Sequence, residues 1–350
     1  MIRLAPRHLA VAAALALLLT LPAWVGNSYY VNIASQILLW AVLALALNVL
    51  VGYAGLVSLG HAGLFAMAGY TAALLIGAGH GHLAADAAAL AVTLATTAVF
   101  AVLALRATGI GFLMITLAIG QILWGIAYRW ASLTNGDNGI NVGSRPAPFG
   151  LSLAGAGAFY YATLVVFLLA VASMAMLVRS PFGASLAGTR DQPRRMTALG
   201  YNVWLIRFLA ILFSGLWSGV AGLLFLYYNQ FISPQVVALT TSAEALLMVI
   251  SGGSGTLLGP IFGAAIVVIM KNVVSAYVER WNLVLGLIFI LIISFMPEGL
   301  VPGSARLWRA ARQRLIGEAR RDGASRAPSR APAEPAGART PLAPLPERGP

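Results

Sequence analysis

The chain has 350 residues, of which 60% are hydrophobic and only 9% charged, with a formal net charge of +12 and no cysteine. Soluble globular domains carry about a quarter charged residues, so this composition points to the bilayer as solvent. Disulfides, thiolate metal sites and cysteine nucleophiles are excluded; a nucleic-acid partner is not implied, because ten of the 22 basic residues are arginines between Arg306 and Arg348, beyond the last apolar run.

In chain order, Arg3 and Arg7 precede an apolar stretch over residues 9–25 that lacks a small-residue cleavage site and reads as an uncleaved first helix. Further spans are predicted at about 33–51, 60–78, 87–105, 111–128, 159–178, 203–228, 235–251, 256–276 and 282–297. The longer runs reach the roughly 20 residues that cross a hydrocarbon core of about 30 Å, and the alternation of barrel strands is missing. The predicted fold class is therefore an all-α polytopic bundle of about ten transmembrane helices. Stretch 235–251 holds Thr240, Thr241, Ser242 and Glu244, so a re-entrant half-helix is the alternative to a full span there. With ten spans and the N-terminus in the cytosol, the inner side holds Arg3, Arg7, Arg106, Arg179, Arg190, Arg194, Arg195, Arg207 and the ten tail arginines, while Arg129, Arg145, Lys271 and Arg280 lie outside. That division, 18 against 4, obeys the positive-inside rule, and nine spans would spoil it. Residues 1–302 are thus read as the membrane domain and 303–350 as a basic cytosolic tail, largely disordered. Within the tail Leu307, Trp308, Ala311 and Leu315 share one helical face, which fits an interfacial helix and an ordinary solvated tail equally.

Chemistry of its own is hard to find in this chain. A P-loop needs a lysine after a glycine-rich turn, and the one lysine, Lys271, follows an apolar run, so nucleotide energy must come from another subunit. No nucleophile, base and orienter set marks an enzyme, and no cofactor or metal site is expected. His80 and His82 with Asp86 resemble a metal pair only weakly and are better explained as an exposed loop. Glu244 is the sole deep carboxylate candidate, and His61 either meets cargo or, the favoured reading, is satisfied by a neighbouring helix.

Two glycine-rich interruptions carry more information: Gly52, Gly55, Gly60 and Gly63, then Gly252, Gly253, Gly255, Gly259 and Gly263. Three pairs repeat at an offset of 200 residues (252 − 52, 255 − 55, 263 − 63). Such clusters between apolar runs signal broken helices or close helix crossings, and broken helix ends in corresponding places of two halves are where transporters bind charged cargo. The path candidates are Gly52, Gly55, Ser58, Gly60, His61, Thr116, Glu244, Gly252, Gly253 and Gly255, with close packing as the equal alternative.

Residues 52–70 (GYAGLVSLGHAGLFAMAGY) resemble the first signature of the branched-chain amino acid importer permease family, of its LivM rather than LivH type. Residues 114–121 (MITLAIGQ), 134–140 (TNGDNGI), 179–183 (RSPFG), 231–234 (FISP) and 248–263 (MVISGGSGTLLGPIFG) are similar to its later segments, in the same order, so that the resemblance covers about residues 30–300. It implies a bacterial inner-membrane subunit that works with a second, LivH-type permease, two ATP-binding cassette subunits and a periplasmic binding protein. Aliphatic amino acids are the expected cargo; urea, short-amide and aromatic-acid importers of the same family are the alternatives, and a stand-alone secondary carrier or channel is the rival class. The resemblance also makes residues 179–202 the ATPase-coupling loop, with Arg179, Gly183, Arg190, Asp191, Arg194, Arg195, Leu199 and Gly200 as its candidates. The chain keeps Arg190, Leu199 and Gly200, has Asp191 for the family's glutamate, and departs from the pattern at Pro193, Arg194, Arg195, Met196 and Thr197. A docking helix beginning near Pro193 and ending at a left-handed Gly200 is expected, with Arg190 facing the partner.

Overall fold

The structure, a computed structural model, describes residues 16–24, 26–143, 145–146, 152–277, 281–296, 299–304 and 306. The chain divides into a unit ending at Ser304 and a segment from Ala305 onward, of which Arg306 alone is described; the expectations for the tail and for the first 15 residues lie outside the described residues.

Every apolar run of the sequence is helical where described. The helices are α1 (residues 16–24), α2 Ser28–Asn48, α3 His61–Gly77, α4 His82–Ala104, α5 Ile110–Arg129, the single turn α6 Ala131–Thr134, α7 Ala156–Arg179, α8 Pro181–Asp191, α9 Pro193–Ala198, α10 Val203–Asn229, α11 Leu239–Gly252, α12 Gly259–Val273 and α13 Trp281–Phe295. Among the described residues, five helical stretches are long and apolar enough to cross a membrane: 28–54, 82–104, 110–129, 156–179 and 203–229. α11 is shorter than its apolar run because Pro234 directs the chain into a 3₁₀ turn, Pro234–Val237, and the α-helix starts only at Leu239. Its 14 residues rise about 21 Å, less than the hydrocarbon thickness of about 30 Å.

α2 is the centre of the bundle. Asn27 caps it through Tyr29 N at 2.9 Å, and its second half is buried on every face: Leu39, Val42, Leu43, Leu45 and Leu47 have no exposed surface. A helix apolar all round belongs inside a bundle, not at its lipid boundary. α7, α10, α11 and α12 pack around it, and α3 reaches it through Phe65 stacked on Trp40, whereas α4 and α5 keep many large apolar side chains, such as Val99 and Ile122, on the outside.

Close approach is obtained with small residues. On α10, Gly215 and Gly219 lie against Thr97 and Thr93 of α4, and Gly222 lies against the backbone of Phe65 on α3; a Cβ at Gly222 would collide with the Phe65 carbonyl. This small-xxx-small pattern permits van der Waals packing between backbones where lipid leaves no hydrophobic force to drive helices together.

The bundle has two differently built ends. At one, Ile140–Asn141 (β1) pairs antiparallel with Phe231–Ile232 (β2), joining the segment after α5 to the segment after α10; this two-residue ladder is an addition to the all-α expectation. At the other, the breaks between α2 and α3 and between α11 and α12 meet, with the short helix α8 against the first of them.

Candidate functional site

The two glycine interruptions are in contact. α2 widens after Asn48 into a six-residue π-helix, Val49–Ala54, and stops at Gly55, whose φ of 69° is left-handed. π-turns are uncommon and leave carbonyls poorly matched to the helical ladder. The 253–258 turn arrives against this break. Gly52 has no room for a side chain there, because a Cβ would collide with the backbone N of Gly255 and with the Asn48 side chain. Asn48, buried, bridges the two breaks: its Nδ2 donates to the Thr256 carbonyl at 2.8 Å and its Oδ1 accepts from Gly255 N at 2.9 Å. Gly253 and Gly255, at φ of 116° and 80°, hold turn conformations that side-chain-bearing residues avoid. Gly252 lies against the Gly259 backbone, which closes α11 onto the start of α12.

Against this junction sits the helical pair that follows α7. Ser180 caps α8, its Oγ accepting from Gly183 N at 3.3 Å, with Pro181 in the first turn, where a missing N–H costs nothing. Gly183 allows α8 to fold tightly beside the last carbonyls of α7. A helix, α9, begins at Pro193 and is closed by a left-handed glycine: Gly200 N donates to Thr197 O at 3.0 Å, Tyr201 N to Met196 O at 3.1 Å, and Gly200 has φ of 87°. α8, by contrast, is an element the sequence reading did not anticipate.

Arg190 requires a correction. It lies on α8, and its Nη1 donates to the Gly52 carbonyl, so it is anchored inside this chain as well as being half-exposed. The cause is the π-segment, which supplies an orphan carbonyl, and Gly55, whose missing side chain admits the Arg190 stem. Arg207 of α10 secures the same helix by donating to the Thr189 carbonyl at 2.8 Å. Asp191, Arg194, Arg195, Leu199 and Gly200 are all exposed, and Arg179 is exposed at the end of α7. Arg194, Arg195 and Arg207 line a cleft of about 590 Å³ with Thr108, Gln192 and Pro193.

Ser58, Gly60, His61 and Thr116 form a separate, closed knot. His61 is fully buried, with Nδ1 2.8 Å from Ser58 Oγ and Nε2 2.9 Å from Ser214 Oγ, which in turn donates to the Ala46 carbonyl at 2.6 Å. Thr116 Oγ1 accepts from Leu59 N at 3.2 Å, and Gly60 lets the chain pass against the Thr116 backbone. This is the favoured reading of His61: every polar group is satisfied by a neighbouring helix, as hydrocarbon surroundings demand.

Glu244 stands elsewhere, at the ladder end. With Lys271 of α12 it forms an ion pair, Nζ to Oε2 at 3.2 Å, on the wall of a cavity of about 460 Å³. Trp40, Phe225 and Phe231 also line it, with the polar Asn229, Ser233 and Thr240. Nearby, Arg145 donates to the Tyr227 and Tyr228 carbonyls at 3.1 and 3.3 Å, capping α10, and lies over the Phe159 ring at 4.6 Å. Partial burial lowers the pKa of its guanidinium from the ordinary value. At the same end Asp86 accepts from the Tyr227 hydroxyl at 2.6 Å, giving Asp86 a hydrogen-bonding role in place of the weak metal pairing with His80 and His82.

Sequence reasoning missed three contributors. Asn48 was legible as an isolated amide in an apolar run, Lys271 as the one lysine in the chain, and Gly215, Gly219 and Gly222 as a small-residue stripe of helical spacing.

Comparison with known proteins agrees with the motif order. The profile of the family described as "Branched-chain amino acid transport system / permease component" matches residues 29–293. The chain is 30% identical over 298 residues to the high-affinity branched-chain amino acid transport system permease proteins LivM of Salmonella typhimurium and of Escherichia coli, covering 78% of this chain and 70% of each relative. It is 28% identical over 179 residues to the probable branched-chain amino acid transport permease protein LivH of Methanocaldococcus jannaschii, covering 49% of this chain and 55% of that one. No solved structure matches the chain significantly.

Proposed function

The chain belongs to the family of branched-chain amino acid transport system permease components, and from that premise we propose that it is the membrane-spanning subunit of an ATP-driven importer of aliphatic amino acids. In this reading a second permease completes the path, two ATPase subunits drive it, one of them docked on α9 of this chain, and a periplasmic binding protein delivers cargo at the ladder end.

The observation that carries the reading is the contact of α8 with the α2 break, to which the break between α11 and α12 is in turn bound. A coupling element must pass rigid-body movement to the parts that gate the path. Arg190 joins α8 to Gly52 at the α2 break, and Asn48, four residues earlier, holds the 253–258 turn. Movement of α8 by a bound ATPase would thus displace two glycine-hinged breaks together. The partner-facing surface is α9, which buries none of its residues and presents exposed arginines together with Leu199. An acidic groove on the ATPase complements it.

The charge distribution supports an orientation with α8 and α9 in the cytosol. Arg190, Arg194, Arg195 and Arg207 gather at that end, while Arg145 and Lys271 belong to the other. A reporter enzyme active only outside the cytosol should be active when fused after residue 143 and inactive when fused after residue 303. The reverse pattern would invert the assignment and remove α8 and α9 from reach of any ATPase.

A further inference from the structure

The cavity beside Glu244 supports a more specific assignment, which rests on the importer reading. Its volume, about 460 Å³, falls in the range of small-ligand sites, roughly 300–1,000 Å³. Its lining combines three things: a carboxylate, an ammonium and a set of aromatic rings. The rings are fixed in advance, since Trp40 packs against Phe225 at 6.1 Å and both pack against Phe65, at 5.7 and 5.4 Å.

Lysine is the informative choice here. The chain uses arginine for every other one of its basic residues. Arginine grips a carboxylate through a flat two-pronged fork, whereas lysine offers a compact charge on a flexible stem and exchanges partners readily. Glu244 and Lys271 lie on different helices, α11 and α12, on either side of the glycine-rich turn at residues 253–258. Their side chains are 18% and 40% exposed, so the pair is neither sealed in the bundle nor free on a surface. Ionisable residues on the helices of a membrane bundle mark substrate pathways by default.

We propose that the Glu244–Lys271 pair is the receiving site for the zwitterionic amino acid. The pair opens, Glu244 takes the cargo ammonium, Lys271 takes the cargo carboxylate, and the side chain of the cargo rests against Trp40 and Phe225. Each buried charge exchanges one opposite charge for another, so none is left unpaired during entry. Because the pair also ties α11 to α12, its opening loosens the two helices at the moment cargo arrives.

The absence of native cysteine makes the test direct. In the complete transporter reconstituted in proteoliposomes, a Thr240→Cys chain is labelled with a membrane-impermeant maleimide from the ladder side. L-Leucine at four times its dissociation constant should slow labelling about fivefold, while leucinamide, without a carboxylate, and isocaproate, without an ammonium, should protect little. Glu244→Gln and Lys271→Met should each abolish protection. The double exchange Glu244→Lys with Lys271→Glu restores an ion pair of reversed polarity and should stay unprotected. Full leucine protection in the reversed pair would assign the two residues a purely structural clamp and overturn the proposal. Absence of protection in a complex that accumulates leucine overturns the site alone; a complex that accumulates no leucine overturns the importer reading and the site with it.

Discussion

Charge reversal at Arg190 is expected to leave the protein inserted and able to assemble, yet to uncouple ATP hydrolysis from uptake. The guanidinium of Arg190 donates to the Gly52 carbonyl at the end of the π-segment, and a glutamate there would set a carboxylate against a carbonyl. A hydrogen bond from a charged donor contributes about 1.5–3 kcal/mol, which corresponds to a factor of about 10 to 150 in the population with α8 seated on the break. The membrane core does not contribute to this loss, because the buried residues of α8, such as Leu186, are untouched. In the complete transporter, Arg190→Glu should therefore lower leucine uptake about tenfold or more, with hydrolysis persisting but no longer stimulated by loaded binding protein. Wild-type uptake by this variant would show that α8 does not transmit through Gly52. Arg190→Lys should fall between the two, since lysine reaches with one donor but lacks the fork.

Asn48→Leu should have the other large effect, on the turn between α11 and α12. The shape of the side chain is nearly kept, so helix packing suffers little. What is lost is the partner of two backbone groups, the Gly255 N–H and the Thr256 carbonyl, in a largely buried place. Each orphaned group costs about 1–3 kcal/mol, so the 253–258 turn loses roughly 2–6 kcal/mol of its closed form. Ser251→Cys, buried where α11 enters the turn and introduced into the cysteine-free chain, should react with a maleimide much faster in the Asn48→Leu background than alone, and uptake should fall in parallel. Equal reactivity in both backgrounds would mean that Asn48 is not what holds the turn.

The outline of the fold was legible because hydropathy is a local property: every apolar run that the structure describes is helical, including α11. The glycine clusters were legible for the same reason, and their contact across 200 residues of sequence was anticipated only as a repeat. What could not be read was pairing at a distance. The partner of Arg190 is a backbone carbonyl 138 residues away, created by a π-turn that no side chain announces. Ser58, Gly60, His61 and Thr116 looked like path residues because polar and small groups in lipid are suspect, yet they satisfy one another within the bundle. Glu244 was visible as an isolated acid, but its significance depends on Lys271, which the fold brings to it from the far end of the next helix. The family segments behave alike. TNGDNGI and FISP are meaningful together, since Ile140 pairs with Ile232, just as the two glycine signatures become one junction only in three dimensions.

This chain is expected to move amino acids only as part of an ATP-driven assembly. Accumulation of labelled leucine in proteoliposomes containing this chain alone, this chain with the second permease, and the full set with ATPases, ATP and loaded binding protein tests this most directly. Accumulation against a gradient is predicted in the full set alone, with none when ATP is replaced by a non-hydrolysable analogue. Leucine flux through vesicles holding only this chain would contradict the account and identify a carrier or channel.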